Sequence, residues 1–255
     1  MKDFYKLSFP AFLFLAVCFC LVFEGKSQNI EKAVDPFEKL IVSPKINVTL
    51  IKGDKEHVRL EYFGVEEDEV NIKVKGKTLK LFLDNARVHD KRVAVNDGRH
   101  GKRMVSIYEN AEVNAIITYK HLKNLQIRGD QKVICSSPLK SEKFRIKLYG
   151  ESKVKLASLE TSKLKASLFG QNDLKINAGD APTQILRLMG ENVINTQKVA
   201  SRYARATSYG ESKVFLNSSD LFKVTAFGES KIYYSGDATL MLGLVLGDNH
   251  IDKIR

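Results

Sequence analysis

The side chains that carry acid–base, nucleophilic or metal chemistry are few in this sequence, and none falls into a working constellation. The five histidines, His57, His89, His100, His121 and His250, never occur at metal-ligand spacing. His89 and His100 share a segment but have no cysteine beside them. No serine or cysteine stands in a nucleophile motif with histidine, and neither a P-loop nor a dinucleotide fingerprint is present. Glu151, Glu191 and Glu211 recur at regular intervals. They lack the glycine-rich nonapeptide of calcium-binding coils and read as solvated acids. Cys135 lies six residues after Gly129, an inward place in the repeat described below, and reads as a core residue. The expectation is a protein that is not an enzyme, with no catalytic, cofactor-binding or metal-binding residues.

What the sequence does offer is positive charge: 41 Lys and Arg against 30 Asp and Glu, a formal +11. The densest cluster lies in an insert at residues 86–103, with Arg87, Lys91, Arg92, Arg99, Lys102 and Arg103. Positive clusters attract phosphates and acidic sugars, so these six are the candidate anion-binding residues. A charged loop that keeps the chain soluble is the plain alternative. A second surface candidate is the row Tyr149, Phe169, Met189, Tyr209 and Phe227, one before each of five glycines. Such a row binds sugar faces if its rings are exposed, or closes a corner if they are packed. Arg128-Gly129-Asp130 spells an integrin-binding tripeptide, but its glycine is already accounted for by the repeat.

That repeat is the strongest signal in the chain. Gly129, Gly150, Gly170, Gly190, Gly210, Gly228 and Gly247 are spaced 21, 20, 20, 20, 18 and 19 residues apart. Tyr149-Gly-Glu-Ser-Lys-Val, Tyr209-Gly-Glu-Ser-Lys-Val and Phe227-Gly-Glu-Ser-Lys-Ile are near-copies, and the residue four after each glycine is Val, Leu or Ile. Apolar residues alternate on both sides of the glycine, as Phe144, Ile146, Leu148 and then Val154, Leu156 do around Gly150. Period two means strands. A unit of strand, glycine corner and strand, with no room for a helix, returns to the same place every turn. Equal positions then stack about 4.8 Å apart, which makes a parallel β-solenoid with the seven glycines as structural corners. The second residue after each corner is Gln, Ser or Asn, able to hydrogen-bond from rung to rung. The first is usually acidic, and Lys153, Lys213 and Lys231 stand near enough in sequence to pair with it.

Before the repeat, residues 29–36 read as a polar linker and residues 37–120 as a smaller β-region, with a hairpin tip at Asn96-Asp97-Gly98 inside the basic insert. Two arrangements fit it: irregular early coils of the same solenoid or, the favoured one, a β-region packed end-on that caps the stack. The solenoid proper occupies residues 121–255. Residues 1–28 have the layout of a signal peptide: Lys2 and Lys6, an apolar run from Phe9 to Phe23, then small residues up to a cut after Ser27 or Gln28. A membrane anchor and lipid attachment at Cys18 are the lesser readings. Cys135 alone remains after the cut, so no intramolecular disulfide framework is expected.

The opening from Phe37 to Leu60, with Asn47-Val-Thr-Leu before Gly53-Asp54, the serial Gly-Glu-Ser-Lys-Val corners and the signal ending in Ser27-Gln28-Asn29 resemble the head GIN domain family of exported Bacteroidetes proteins, labelled auto-transporter adhesins. The resemblance spans about residues 37–255. It implies an all-β, right-handed parallel solenoid of two-stranded coils. It also implies an exported protein: periplasmic, outer-membrane-associated or extracellular. The expected function is a non-enzymatic envelope or extracellular scaffold or binding protein, adhesin-like. The alternative is a carbohydrate-active solenoid enzyme acting on acidic polysaccharide, which needs longer loops than these uniform coils provide. Anionic glycan, lipopolysaccharide or an envelope protein are the expected partners. Nucleic acid is not, because the chain is exported. The last coil, from Leu246 to Ile254, has no evident cap, and that solenoid end is a candidate homo-oligomer contact.

Overall fold

The computed structural model describes residues 28–254 apart from 97, 99 and 100. The signal segment up to residue 27 and the candidate Arg99 lie outside the described residues.

Alternation decides which way each side chain points. In the strand Lys143–Gly150, Phe144, Ile146 and Leu148 are buried while Lys143, Arg145 and Lys147 face out. The strands that precede the glycine corners pair in parallel, each with its counterpart in the next unit. The register puts Gly129 beside Gly150, Gly150 beside Gly170, Gly170 beside Gly190 and Gly210 beside Gly228. The strands that follow the corners form a second parallel stack, in which Val133, Val154, Leu174, Ile194, Val214 and Ile232 make one buried column. The chain is therefore a parallel β-solenoid, and one continuous hydrophobic core runs through it.

The coils have a third side that the alternation did not reveal. Leu139–Lys140, Leu159–Glu160, Gly179–Asp180 and Val199–Ala200 form a narrow parallel sheet of their own. It occurs in the units of 20 and 21 residues and is absent from those of 18 and 19. The shorter units turn directly from one long strand to the next.

The corners hold together by backbone geometry and by a polar ladder. The seven corner glycines have φ between +94° and +116°. At Gly170 a Cβ would lie 2.3 Å from the Gly150 carbonyl oxygen, so the rung below forbids a side chain even apart from φ. Two residues on, Asn172 is buried: its Oδ1 accepts from the Ser152 N–H at 3.1 Å, and its own N–H donates to Asn192 Oδ1 at 3.1 Å. Ser152, Ser212 and Ser230 donate to the carbonyls of Gly129, Gly190 and Gly210. Stacked Asn and Ser thus connect successive rungs. The acids beside them behave differently from expectation: Lys153, Lys213 and Lys231 make no ion pair among the described residues, and Gln171 donates to Glu191 at 3.1 Å.

The N-terminal region is joined to the solenoid more intimately than end-on packing implies. Lys39–Val42 and Ile46–Lys52 continue the two long sheets in parallel with the first repeat unit. Thr78–Leu83 and Glu112–Tyr119 extend them one strand further. The capping is done by antiparallel strands beyond these, Val70–Lys75 on one sheet and His57–Phe63 on the other. The segment read as a linker is corrected here. Gln28–Ala33 is a strand, antiparallel to His57–Phe63. It is an edge strand held by backbone hydrogen bonds, and only Ile30 packs toward the core, so its sequence shows no apolar period. At the other end, the last coil leaves Leu242, Leu244 and Leu246 more than half exposed.

Candidate anion-binding surface

The ten-stranded sheet that runs from Val70–Lys75 to Thr239–Leu246 has an outer face of one charge sign. Its strands carry Lys39, Lys73, Lys75, Lys80, Arg128, Lys143, Arg145, Lys147, Lys163, Lys165, Arg187, Arg205 and Lys223 and no aspartate or glutamate. Every strand but the last contributes at least one cation. Of these thirteen cations only Lys143 has a carboxylate among the described residues within 4.0 Å, from Glu142 at 3.5 Å. Register brings like charges side by side: Lys143 beside Lys163, Arg145 beside Lys165, Arg205 beside Lys223, Lys73 beside Lys80. Such pairs oppose folding, each by a few tenths of a kcal/mol or more, to about 1 kcal/mol. The opposite long sheet is mixed, with Glu31, Glu61, Glu112, Asp173 and Asp252 among its cations.

The N-terminal end of this face deepens into a cleft of about 270 Å³, lined by Ile41, Ser43, Lys73, Lys75, Lys80, Phe82, Arg87 and Arg128. Its floor is Phe82, buried although it sits at an outward position, because cations cover it. Arg87 Cζ lies 4.6 Å and Lys73 Nζ 5.2 Å from the ring centroid. Arg87 comes from a loop that is pinned from three sides. Tyr108 donates its hydroxyl to the Asp84 carbonyl at 2.6 Å, Ser43 Oγ donates to the Arg87 carbonyl at 2.8 Å, and Arg128 Nη1 donates to the same carbonyl at 3.1 Å. Burial, together with Glu69 beside it, pushes the Tyr108 phenol well above its ordinary range, so it remains a donor. The Gln126 amide oxygen, in the orientation that satisfies it, accepts from Arg128 Nε and Nη2 at 2.9 and 2.8 Å. The Arg128 guanidinium is thereby set in place, and among the described residues neither it nor that of Arg87 has a carboxylate partner.

Of the six residues singled out in the basic insert, the five that are described are dispersed by the fold. Arg87 enters the cleft just described. Arg92 lines a second cavity, about 570 Å³, with His89, Asp90, Arg128 and Tyr149. Lys91 lies at the base of a projecting hairpin, Arg92–Asn96 with Lys102–Ser106, which carries Lys102 and Arg103. Arg103 pairs with Glu109 at 3.6 Å. The cleft's other cations, Lys73, Lys75, Lys80 and Arg128, were missed because they come from three separate strands. Lys73 and Lys80, directly opposite across the turn at Gly76, were the available signal.

The aromatic row lines the glycine edge of the same face. Tyr149 stacks on Phe169 at 5.0 Å and 6°, and Tyr209 on Phe227 at 4.9 Å and 1°. Stacked this way the rings turn their faces to one another and their edges to solvent, which suits ladder packing better than a sugar platform. Cys135 is buried: its thiol donates to the Ser137 carbonyl at 3.2 Å and meets the Tyr119 hydroxyl at 3.5 Å. Burial pushes that thiol up, away from nucleophile chemistry. No group of three or more His, Cys, Asp or Glu among the described residues is placed to hold a metal.

Compared with known families, residues 36–238 match the one described as putative auto-transporter adhesin, head GIN domain. The chain belongs to this family. Its solved relatives have the same fold. A putative adhesin from Bacteroides fragilis is 21% identical, with a TM-score of 0.74 over 90% of this chain and 97% of that one. A putative adhesin from Parabacteroides merdae is 18% identical, TM-score 0.66, over 91% and 98%. A putative lipid binding protein from Parabacteroides distasonis is 16% identical, TM-score 0.63, over 91% and 98%. No curated protein matches the sequence.

Proposed function

We propose that this head GIN domain protein is an exported, non-enzymatic, adhesin-like binding protein whose cationic sheet holds an anionic glycan. The observation that carries the reading is the outer face of the ten-stranded sheet: a cation on each of nine consecutive strands and no carboxylate on any. Side-by-side like charges disfavour the fold, and an anionic partner relieves them. The cations run in rows along the solenoid axis for about 38 Å at a strand spacing of about 4.8 Å, which fits a linear polymer carrying charge at regular intervals. The same face offers no acid or base pair for polysaccharide cleavage. The family name and the signal-like first residues support export and an adhesin-like role.

The test is retention on immobilised dextran sulfate against neutral dextran. Retention on dextran sulfate alone is expected, falling as salt rises. The quadruple variant Arg145→Gln, Lys165→Gln, Arg205→Gln, Lys223→Gln should elute at lower salt, with a shallower dependence of log K on log salt. Equal retention of the variant would remove the sheet from the account. Protease added to intact cells, followed by fractionation, should find the protein outside the cytoplasm. A cytoplasmic pool alone would overturn export.

A further inference from the structure

We infer that the cleft at the N-terminal end of the sheet is a discrete site for a phosphate monoester group. It rests on the reading of the sheet as an anion-binding face and adds a specific anchor at one end of it. Three features separate the cleft from the rest of the face. It is concave, about 270 Å³, whereas the hollow further along the face beside Arg145 and Lys147 holds about 40 Å³. Its cations converge: Lys73 and Lys80 from adjacent antiparallel strands, Arg87 from a pinned loop, and Arg128 from the first repeat unit. It is also preorganised, since Gln126 and the Arg87 carbonyl hold the Arg128 guanidinium, and the buried Phe82 ring supports Arg87 and Lys73.

The charge balance selects the ligand. Lys73, Lys75, Lys80, Arg87 and Arg128 place five positive charges around one small volume, with no carboxylate lining it. A carboxylate or sulfate ester supplies one negative charge, whereas a phosphate monoester supplies about 1.5 to 2 and three acceptor oxygens. Two guanidinium forks and three ammonium groups suit those oxygens from several directions. The phosphoryl group could belong to a phosphorylated sugar or to a lipid headgroup, and the cleft recognises what the two share.

Isothermal titration with glucose 6-phosphate and with glucuronate tests the assignment. Saturable binding of one glucose 6-phosphate per chain is expected, about ten-fold or more tighter than glucuronate. The variant Lys73→Gln, Arg87→Gln should lose it while keeping the far-ultraviolet circular dichroism of the parent. The variant Arg205→Gln, Lys223→Gln should keep it. Equal affinity for the two sugars, or undiminished binding in the cleft variant, would overturn the proposal. Dextran sulfate retained by the cleft variant in that case leaves the sheet reading standing. Conversely, glucose 6-phosphate binding without dextran sulfate binding leaves the cleft standing and refutes the sheet. Phosphatidylcholine vesicles containing phosphatidic acid separate the sources. Co-sedimentation lost in the cleft variant assigns the group to a lipid. Sugar phosphate binding without co-sedimentation assigns it to a glycan.

Discussion

Inside the solenoid a few polar residues stand where aliphatics are expected. Gln184 is fully buried in a column otherwise made of Phe144, Leu164, Ala204 and Phe222. Its amide oxygen accepts from Thr196 Oγ1 at 2.8 Å, across the interior from the opposite sheet. Unmet, either group would cost about 1–3 kcal/mol. Neither partner is legible in sequence, since the pairing depends on two strands facing each other. Cys135 is different: its inward position followed from counting six from the glycine, and its bond to Tyr119 did not. Burial raises both the thiol and the Tyr119 phenol above their ordinary values of 9.0 and 10.0. A raised acid is neutral in the fold and ionises first in the unfolded chain. The stabilisation is therefore complete below pH 9.0 and declines as pH rises above it. The urea midpoint should fall on that alkaline side, and the variant Cys135→Ser, Tyr119→Phe should show a shallower fall than the parent. A parent midpoint independent of pH there would contradict the assignment.

Among the elements, the corner was the most legible, because seven copies of one constraint leave a pattern that any single copy would not. Gly170→Ala should cost about 1–3 kcal/mol, from the left-handed backbone together with the close Gly150 carbonyl. Gly76→Ala, at φ +55° with nothing within 4 Å of its Cβ, isolates the backbone part and should cost less, about 1–2 kcal/mol. Chemical denaturation of both variants checks the difference, and equal losses would mean that the stacked carbonyl contributes nothing. Two kinds of element escaped sequence reasoning. The two-residue strands of the third sheet are too short to alternate. The edge strand Gln28–Ala33 buries too little to be patterned, with five of its six residues exposed. Both are specified by backbone pairing with neighbours already in place.

For the molecule as a whole, the charge that sequence reasoning placed in one insert belongs mostly to a face. Residues 86–103 drew attention because their cations are contiguous. The sheet's cations stand two apart within a strand and about twenty apart between strands, so no window of sequence contains them together. Parallel stacking collects them on one face, whose strands carry no carboxylate. The most direct measurement is lysine acetylation, read residue by residue, with and without dextran sulfate. Lys143, Lys147, Lys163, Lys165 and Lys223 should be protected several-fold, while Lys155, Lys175 and Lys213 on the opposite sheet react as before. Equal protection of the two sets, or protection confined to Lys91 and Lys102 of the hairpin, would contradict the account.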